Sequence, residues 1–344
     1  MMIIRPIIGA DLPALMKLVK AAGVGLTTLP SNEAALMLRI EASIASFAGT
    51  AEKADELFLF VLEDTIAGRV AGTCGLASAV GLRQTWYSYR VGLAVHASQE
   101  LNVFTQTQTL FLSNDHTGHS ELCSLFLAPD YRRDRNGSLL SKSRFPFLAQ
   151  HRRRFSKKLI AELRGVSDAN GQSPFWESLG RRFFSMEFSQ ADYLTGIGKK
   201  SFVAELMPKH PLYTSFLSPE AQAAIGQTHP DTLPARCMLE REGFRYEGYV
   251  DIFDAGPTVE CDLEDVSAVA HCRAFKAMIG DAVPGSDAVI YLVSNTALAD
   301  YRATLVVANP AADRFTVDAE TAAALSIGSG DEILAVPLSA DDRR

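Results

Sequence analysis

The sequence has few cysteines, and none of them form a CxxC pair. The five cysteines are odd in number and widely spaced: Cys74, Cys123, Cys237, Cys261 and Cys272. This spacing argues against a disulfide framework and against a zinc site built from cysteine. We therefore expect reduced thiols, no bound metal and a reducing compartment, the cytoplasm.

Long apolar runs are also missing. No stretch approaches the ~18 apolar residues that a membrane-spanning helix needs. The sequence begins with Met1-Met2-Ile3-Ile4-Arg5-Pro6 and soon reaches Asp11, which leaves no room for the apolar region of a signal peptide. We expect a protein that is neither exported nor embedded in a membrane.

An excess of positive charge is absent as well. The chain carries 33 lysines and arginines against 40 aspartates and glutamates, a formal net charge of −7. This balance gives no electrostatic basis for a nucleic-acid partner. With 344 residues, 47% of them hydrophobic, the composition is that of an ordinary globular enzyme with a sizeable core.

The first third of the chain has the pattern of a β-rich fold. Residues 56–63 form an apolar run of strand length, and residues 68–79 supply a second strand after a turn. Further strands are predicted at 3–8, 87–95, 109–113 and 120–128, with a helix after the first. The economical arrangement is a meander of antiparallel strands.

The pattern changes after Ala128. A polar loop leads into a helix over 138–155, in which Pro146 predicts a kink, and a strand at 158–164 and a helix at 173–184 follow. This order implies one parallel crossover. The sequence therefore predicts an α+β fold with a mixed, mostly antiparallel sheet flanked by helices.

The C-terminal part of the chain differs in composition. Beyond about Cys261 it is rich in Ala, Val, Thr and Gly, with strands predicted near 288–294, 303–308 and 332–337. We expect two units: a main domain over 1–260 and a small β-rich appendage over 261–344.

The strongest local signal is the strand, loop and helix that run from Leu125 to Leu140. A loop of free backbone N–H groups at a helix N-terminus binds anions, and a pyrophosphate suits such a site. Gly137 allows a close approach of the backbone, and Arg132, Arg133 and Arg135 add positive charge. The alternative is a solvated basic loop before an ordinary helix.

This segment resembles the acyl-CoA loop of the GNAT superfamily, whose pattern is Arg or Gln, two residues, Gly, one residue, then Gly or Ala. Here it reads Arg132-Arg133-Asp134-Arg135-Asn136-Gly137. Arg135 replaces the first glycine of the pattern, which questions a positive φ at that position. Gly137 is retained.

Longer segments resemble the arginine N-succinyltransferase family over residues 1 to about 260. The matching segments are Gly25–Pro30, Leu110–Cys123, Ser173–Trp176, Ala204–Pro211 and Asp251–Thr258. The resemblance implies a GNAT-like fold, succinyl-CoA as a co-substrate and no bound cofactor. The tail beyond about Cys261 matches more loosely.

The resemblance also assigns residues. Leu125 matches a position associated with succinyl-CoA binding, and Leu127, Arg132, Gly137 and Ser138 complete the expected donor site.

His229 matches the family's proton donor, which would protonate the departing thiolate. Without the resemblance, a histidine before a proline is more often a surface or capping residue. Many GNAT enzymes use a tyrosine acid instead, but Trp176 stands at the corresponding position, and an indole cannot donate that proton.

A polar stretch at 114–121 is dense in acids and imidazoles. A guanidinium substrate calls for a carboxylate, so Asp115 or Glu121 is a candidate, although a hairpin turn explains the same residues. His116 and His119 have no evident third ligand, so we expect no metal. Cys123, in a strand, is interpreted as a small buried apolar residue.

Together these features predict an enzyme that transfers the succinyl group from succinyl-CoA to the α-amino group of L-arginine. One alternative keeps the reaction and changes the acceptor to ornithine. The other is a non-catalytic subunit that binds CoA beside a homologous, active chain. A homo-oligomer or a homologous second subunit is the expected partner.

Overall fold

The computed structural model describes residues 1–23, 28–168, 171–198, 201–281, 285 and 287–339. Residues 25–27 of the family segment Gly25–Pro30 lie outside this range. The strands are β1 (Met2–Pro6), β2 (Leu57–Asp64), β3 (Arg69–Ala77), β4 (Ser88–Ser98), β5 (Val103–Ser113), β6 (Ser120–Leu127), β7 (Lys158–Glu162), β8 (Leu212–Tyr213), β9 (Arg245–Val250), β10 (Pro257–Asp262), β11 (Arg273–Ile279), β12 (Val289–Asn295), β13 (Ala303–Ala308), β14 (Arg314–Val317) and β15 (Glu332–Pro337).

Helices cover both faces of these strands. They are α1 (Leu12–Ala22), α2 (Glu33–Phe47), α3 (Asn136–Lys142), α4 (Arg144–Gln150), α5 (Arg181–Phe184), α6 (Phe188–Gly196), α7 (Ser201–Leu206), α8 (Pro219–Ala224), α9 (Leu233–Arg241), α10 (Ser267–Ala270) and α11 (Ala319–Ala324). A π-helical turn at Trp176–Gly180 leads directly into α5. No helix in the described ranges is long and apolar enough to cross a membrane.

The described strands form one sheet, in the order β14-β11-β15-β12-β13-β1-β2-β3-β6-β7-β10-β9-β4-β5-β8. Within it only β6–β7 and β11–β14 pair in parallel. The predicted fold class, a mixed and mostly antiparallel sheet flanked by helices, is confirmed. The parallel crossover that connects β6 to β7 through α3 and α4 is confirmed as well.

The core explains why β2 is apolar throughout. Phe58, Phe60 and Leu62 pack in the cluster that contains α3 and α4, whereas the alternate residues Leu59 and Val61 pack in the cluster under α1 and α2. Successive side chains of a strand point to opposite faces, so a strand covered on both faces reads as a continuous apolar run.

Two sequence predictions are wrong in detail. The hairpin of β4 and β5 does not lie between β3 and β6, as a meander requires, because β4 pairs with β9 on the far side of the sheet. The helix predicted over 138–155 breaks at Ser143 rather than at Pro146. Pro146 lies in the first turn of α4, where its missing N–H would have no helical partner.

The C-terminal region is β-rich, as predicted, and its strands extend the main sheet because β13 pairs with β1. Tyr301 packs its ring against Phe60 and Phe147, and its hydroxyl donates to the Ser143 carbonyl at 2.6 Å. The predicted boundary after residue 260 falls within β10. The division of the chain into the units 1–260 and 261–344 stays a prediction.

Candidate active site

A cleft opens where β6 and β7 separate. These parallel strands pair only at Ser120–Leu159 and Glu121–Ile160, after which β6 stays with β3 and β7 stays with β10. The gap between them is the mouth of a cavity of about 710 Å³, lined also by the start of α3 and by one face of α9. This volume is in the range of sites for large organic ligands.

The cleft side of β6 is shaped by a bulge. The ladder with β3 shifts between the Gly75–Cys123 and Thr73–Phe126 pairs, and Ser124 adopts a φ of +54°. The Ser124 N–H donates to the Thr28 hydroxyl at 3.2 Å. A bulge leaves residues outside the ladder, so the backbone around Leu125, which lines the cleft, is presented toward it.

The basic loop and the start of α3 form one end of the cleft, as the sequence predicted. Leu125, Leu127, Arg132, Gly137 and Ser138 all line it. The Arg132 Nε donates to the Leu127 carbonyl at 3.2 Å, and its guanidinium carbon lies 5.9 Å from the centre of the Phe126 ring. A Cβ added at Gly137 would meet only a Leu127 methyl, at 3.8 Å. The predicted donor residues are therefore brought together.

Arg135 takes the conformation that the replaced glycine would favour. Its φ is +63°, and that of Asp134 is +52°, so two consecutive non-glycine residues are left-handed just before α3. Such a conformation costs about 1–2 kcal/mol for a residue with a Cβ. The departure from the GNAT pattern changes the residue and preserves the backbone path.

His229 lies beside the cleft rather than among its lining residues. Its N–H donates to the Arg164 carbonyl at 2.8 Å, and Arg164, Asp231 and Thr232 all line the cavity. Its Nδ1 accepts from the Asp231 N–H at 3.2 Å, which caps a short 3₁₀ turn and leaves Nε2 as the protonated nitrogen of the neutral ring. Burial, and then the Arg164 charge, lower the pKa of His229.

Trp176 does not line the cleft and cannot act there as a proton donor. It is fully buried, stacks on Phe184 and donates its indole N–H to the Met186 carbonyl at 3.0 Å. Within the described residues, the lining of the cleft contains neither tyrosine nor histidine. Cys123 is buried, and burial raises the pKa of its thiol to about 12, so it is no nucleophile.

The two candidate carboxylates, Asp115 and Glu121, lie in different places relative to the cleft. Asp115 lines no part of the cleft; its carboxylate accepts from the Tyr249 hydroxyl at 2.7 Å, which lowers its pKa. The assignment of Asp115 as a substrate-binding residue stays a prediction. Glu121 does line the cleft and is buried. Near Asp115, burial lowers the pKa of His116 to about 4, and the described residues contain no cluster that could hold a metal.

A second, smaller cavity of about 220 Å³ joins the first. The two share Thr28, Glu121, Glu162, Asp251 and Phe253 as lining residues. Sequence reasoning missed Glu162 and Asp251, because a single acid on a strand or in a turn carries no spacing signal. The repeated acids of Asp251-Ile252-Phe253-Asp254 were the one available hint.

Residues 2–268 match the family described as arginine N-succinyltransferase beta subunit, and residues 275–337 match the C-terminal domain of that subunit. The chain belongs to the arginine N-succinyltransferase beta subunit family. The family resemblance that the sequence indicates is thereby confirmed.

Relatives match over almost the whole length. The chain is 55% identical to the arginine N-succinyltransferase subunit beta of Pseudomonas aeruginosa, covering 99% of this chain and 100% of the relative. It is 53% identical to the arginine N-succinyltransferase of Escherichia coli, covering 100% and 99%. The solved structure of the arginine/ornithine succinyltransferase subunit AI from Pseudomonas aeruginosa superposes with a TM-score of 0.91 at 33% identity, covering 98% and 99%.

The left-handed backbone at Arg135 leads to a prediction about the stability of this protein. Replacing Arg135 with Gly should raise the free energy of unfolding by about 1 kcal/mol, because glycine adopts a positive φ without a Cβ clash. Replacing Arg135 with Ala removes the same charge but keeps the Cβ, so it should give no such gain. Thermal or urea denaturation measures both; equal stabilisation by the two variants would show that charge, not backbone strain, is the cause.

Proposed function

We propose that this chain transfers the succinyl group of succinyl-CoA to the α-amino group of L-arginine, giving N2-succinylarginine and CoA. The observation that carries the proposal is the match to arginine N-succinyltransferases over nearly the full length of both chains. The cleft between β6 and β7 supports it, because it has the size and the lining that an acyl-CoA requires.

For the donor, we propose that the basic loop and the start of α3 hold the pyrophosphate. Gly137 leaves space for a phosphate, and Arg132 supplies positive charge. The pantetheine arm would then follow the unpaired edge of β6 past Leu127 to Leu125. Backbone amides at the bulge would polarise the thioester carbonyl and hold the oxyanion as the amine attacks.

We propose a direct transfer within a complex of both substrates. The neutral amine attacks the thioester carbon and loses a proton to water, the C–S bond breaks, and the thiolate leaves as His229 supplies a proton through Nε2. Only the imidazolium form is a competent acid, and its lowered pKa keeps that fraction small at neutral pH. The Asp231 charge opposes this effect.

The direct test is to incubate the purified chain alone with succinyl-CoA and arginine and to identify the products by mass spectrometry. We expect N2-succinylarginine, a lower rate with ornithine, and a much lower rate with acetyl-CoA, which lacks the terminal carboxylate. Arginine is the favoured acceptor because the 53–55% identical relatives are named for arginine. Absence of product would instead support the non-catalytic subunit.

A second test addresses His229. Its replacement by Ala should lower kcat by roughly 10²- to 10⁴-fold, the range for a lost general acid, with little change in the KM for succinyl-CoA. Replacement by Asn keeps an acceptor for the Asp231 N–H, since Asn is a good capping residue. His229→Ala loses this cap and should melt at a lower temperature than the wild-type chain. His229→Asn should therefore restore the wild-type melting temperature but not kcat. Recovery of kcat by Asn would mean that His229 acts through the cap alone.

For the partner, the names of two relatives include the word subunit, which implies assembly with another chain. We propose that this chain assembles with a second copy of itself through the outer part of the β4–β5 hairpin, residues 91–98 and 103–108. In the described structure these residues pair only with one another. An isolated two-stranded hairpin has little stability in water.

The two faces of this ribbon differ. Tyr89 and Leu110 are buried in the core, and the same face continues outward as Leu93, Val95 and Phe104, which are 62%, 51% and 65% exposed. The ribbon strands contain no Lys, Arg, Asp or Glu, the residues that normally protect an exposed edge. An uncharged apolar face cannot form ion pairs with a charged partner, but it can pack against an identical apolar face of a second copy.

We expect the purified chain to be a dimer or larger by light scattering, and the double variant Leu93→Ser with Phe104→Ser to be monomeric with an unchanged circular dichroism spectrum. Ile66→Ser is the matched control, since Ile66 is 87% exposed on a different turn. A monomeric wild-type chain, or a double variant that assembles normally, would contradict the proposal.

We also propose that the protein is cytoplasmic. The five free cysteines support this location, because a reducing compartment keeps thiols unpaired.

A further inference from the structure

The smaller cavity continues the cleft at the point where the acyl group must be transferred. Both cavities are lined by Glu121 of β6 and Glu162 of β7, the strands whose separation opens the cleft. The bulge at Ser124–Leu125 lies on the same stretch of β6. A molecule seated in the smaller cavity therefore has one end beside the backbone that faces the thioester.

The shared rim of the two cavities is acidic. Glu121, Glu162 and Asp251 all line both cavities. Asp251 Oδ1 accepts from the N–H groups of Phe253 and Asp254, at 2.7 and 2.9 Å, which fixes this carboxylate in place. Carboxylates at the entrance suit a cationic amine that must come close to the donor.

A cation faces the same cavity from another element. Arg39 of α2 lines it, and the Arg39 Nε is buried without a hydrogen-bond partner in the described part of the chain. A buried guanidinium N–H without an acceptor is costly, so a ligand oxygen would relieve it. Carboxylates and an arginine that line one cavity are the pattern that matches an ammonium and a carboxylate on the same carbon.

A second buried polar group also lacks a partner. Thr195 of α6 is 8% exposed, lines the smaller cavity, and its hydroxyl has no hydrogen-bond partner in the described structure. The remaining wall is partly apolar, with Trp86, Tyr87, Val203 and Ile252 as contributors. Such a wall suits a methylene chain with a polar end.

We infer that the 220 Å³ cavity is the acceptor site: Glu121, Glu162 and Asp251 hold the α-ammonium group, Arg39 holds the α-carboxylate, and the amino-acid side chain extends toward Thr195. The inference rests on the proposed function for the identity of the acceptor. It assigns specificity for α-amino acids to opposite charges that line the same small cavity.

Arginine methyl ester gives a sharp test of the Arg39 assignment, because it keeps the guanidinium and the α-amino group of arginine and lacks the α-carboxylate charge. Wild-type kcat/KM should favour arginine over the ester by about 10- to 100-fold, the effect of one charged hydrogen bond. Arg39→Gln should reduce this preference to nearly 1 and leave the KM for succinyl-CoA unchanged. A variant that keeps the full preference would overturn the assignment.

Glu162→Gln should raise the KM for arginine by about 10-fold or more, because arginine carries the α-ammonium that this carboxylate would hold. Asp115→Asn is the matched control, because it removes a carboxylate that lines neither cavity and keeps an acceptor for the Tyr249 hydroxyl. It should leave the KM for arginine unchanged. Thr195→Val, which is nearly isosteric, adds a variant that should fold and should raise the KM for arginine several-fold.

Unchanged arginine KM values in both Glu162→Gln and Thr195→Val would overturn the acceptor site. The product assay on the wild-type chain keeps this outcome distinct from a failure of the proposed function. If the wild-type chain forms N2-succinylarginine and the variants retain its arginine KM, only the site is wrong. If the wild-type chain forms no product, the proposed function is wrong.

Discussion

The early end of the parallel ladder between β6 and β7 is the constraint on which the rest of the site depends. Two residue pairs hold the strands together at Ser120 and Glu121, and each strand then follows its other neighbour. A sheet interrupted in this way cannot satisfy its own edges with main-chain partners, so the gap is available for a ligand. The bulge at Ser124, the basic loop and the two cavities are all arranged around it.

Much of the fold was predictable, for an identifiable reason. The strand β2 is covered on both faces and reads as a continuous apolar run, and β13 and β15 were located to the residue because turns bound them. Strand order was not predictable in the same way. The β4–β5 hairpin has local signals for its turn, but its pairing with β9 joins residues about 160 positions apart, which no local pattern encodes.

The site divides along the same line. The basic loop and the start of α3 are one continuous segment, so the sequence predicts that their residues lie together, and they line one end of the cleft. The acids shared by the two cavities come from three separated segments; the polar stretch at 114–121 points to Glu121, whereas Glu162 and Asp251 carry no local signal. Charge alone makes Asp115 a candidate, but charge does not predict that its carboxylate accepts a hydrogen bond from Tyr249 outside the cleft. Arg135 shows that tertiary context can impose a glycine-like conformation on another residue.

The ammonium of Lys142, at the end of α3, contacts the Glu242 carboxylate at 2.9 Å and the Leu338 carbonyl at 2.8 Å. One buried cation therefore joins the helix behind the basic loop, the residue that follows α9 and the chain just beyond β15. The segment just beyond β15 therefore supports α3 from behind the basic loop. A chimera that grafts the C-terminal strands of a relative onto this chain must keep the backbone at Leu338 in the same position, or the buried Lys142 ammonium loses one of its two acceptors.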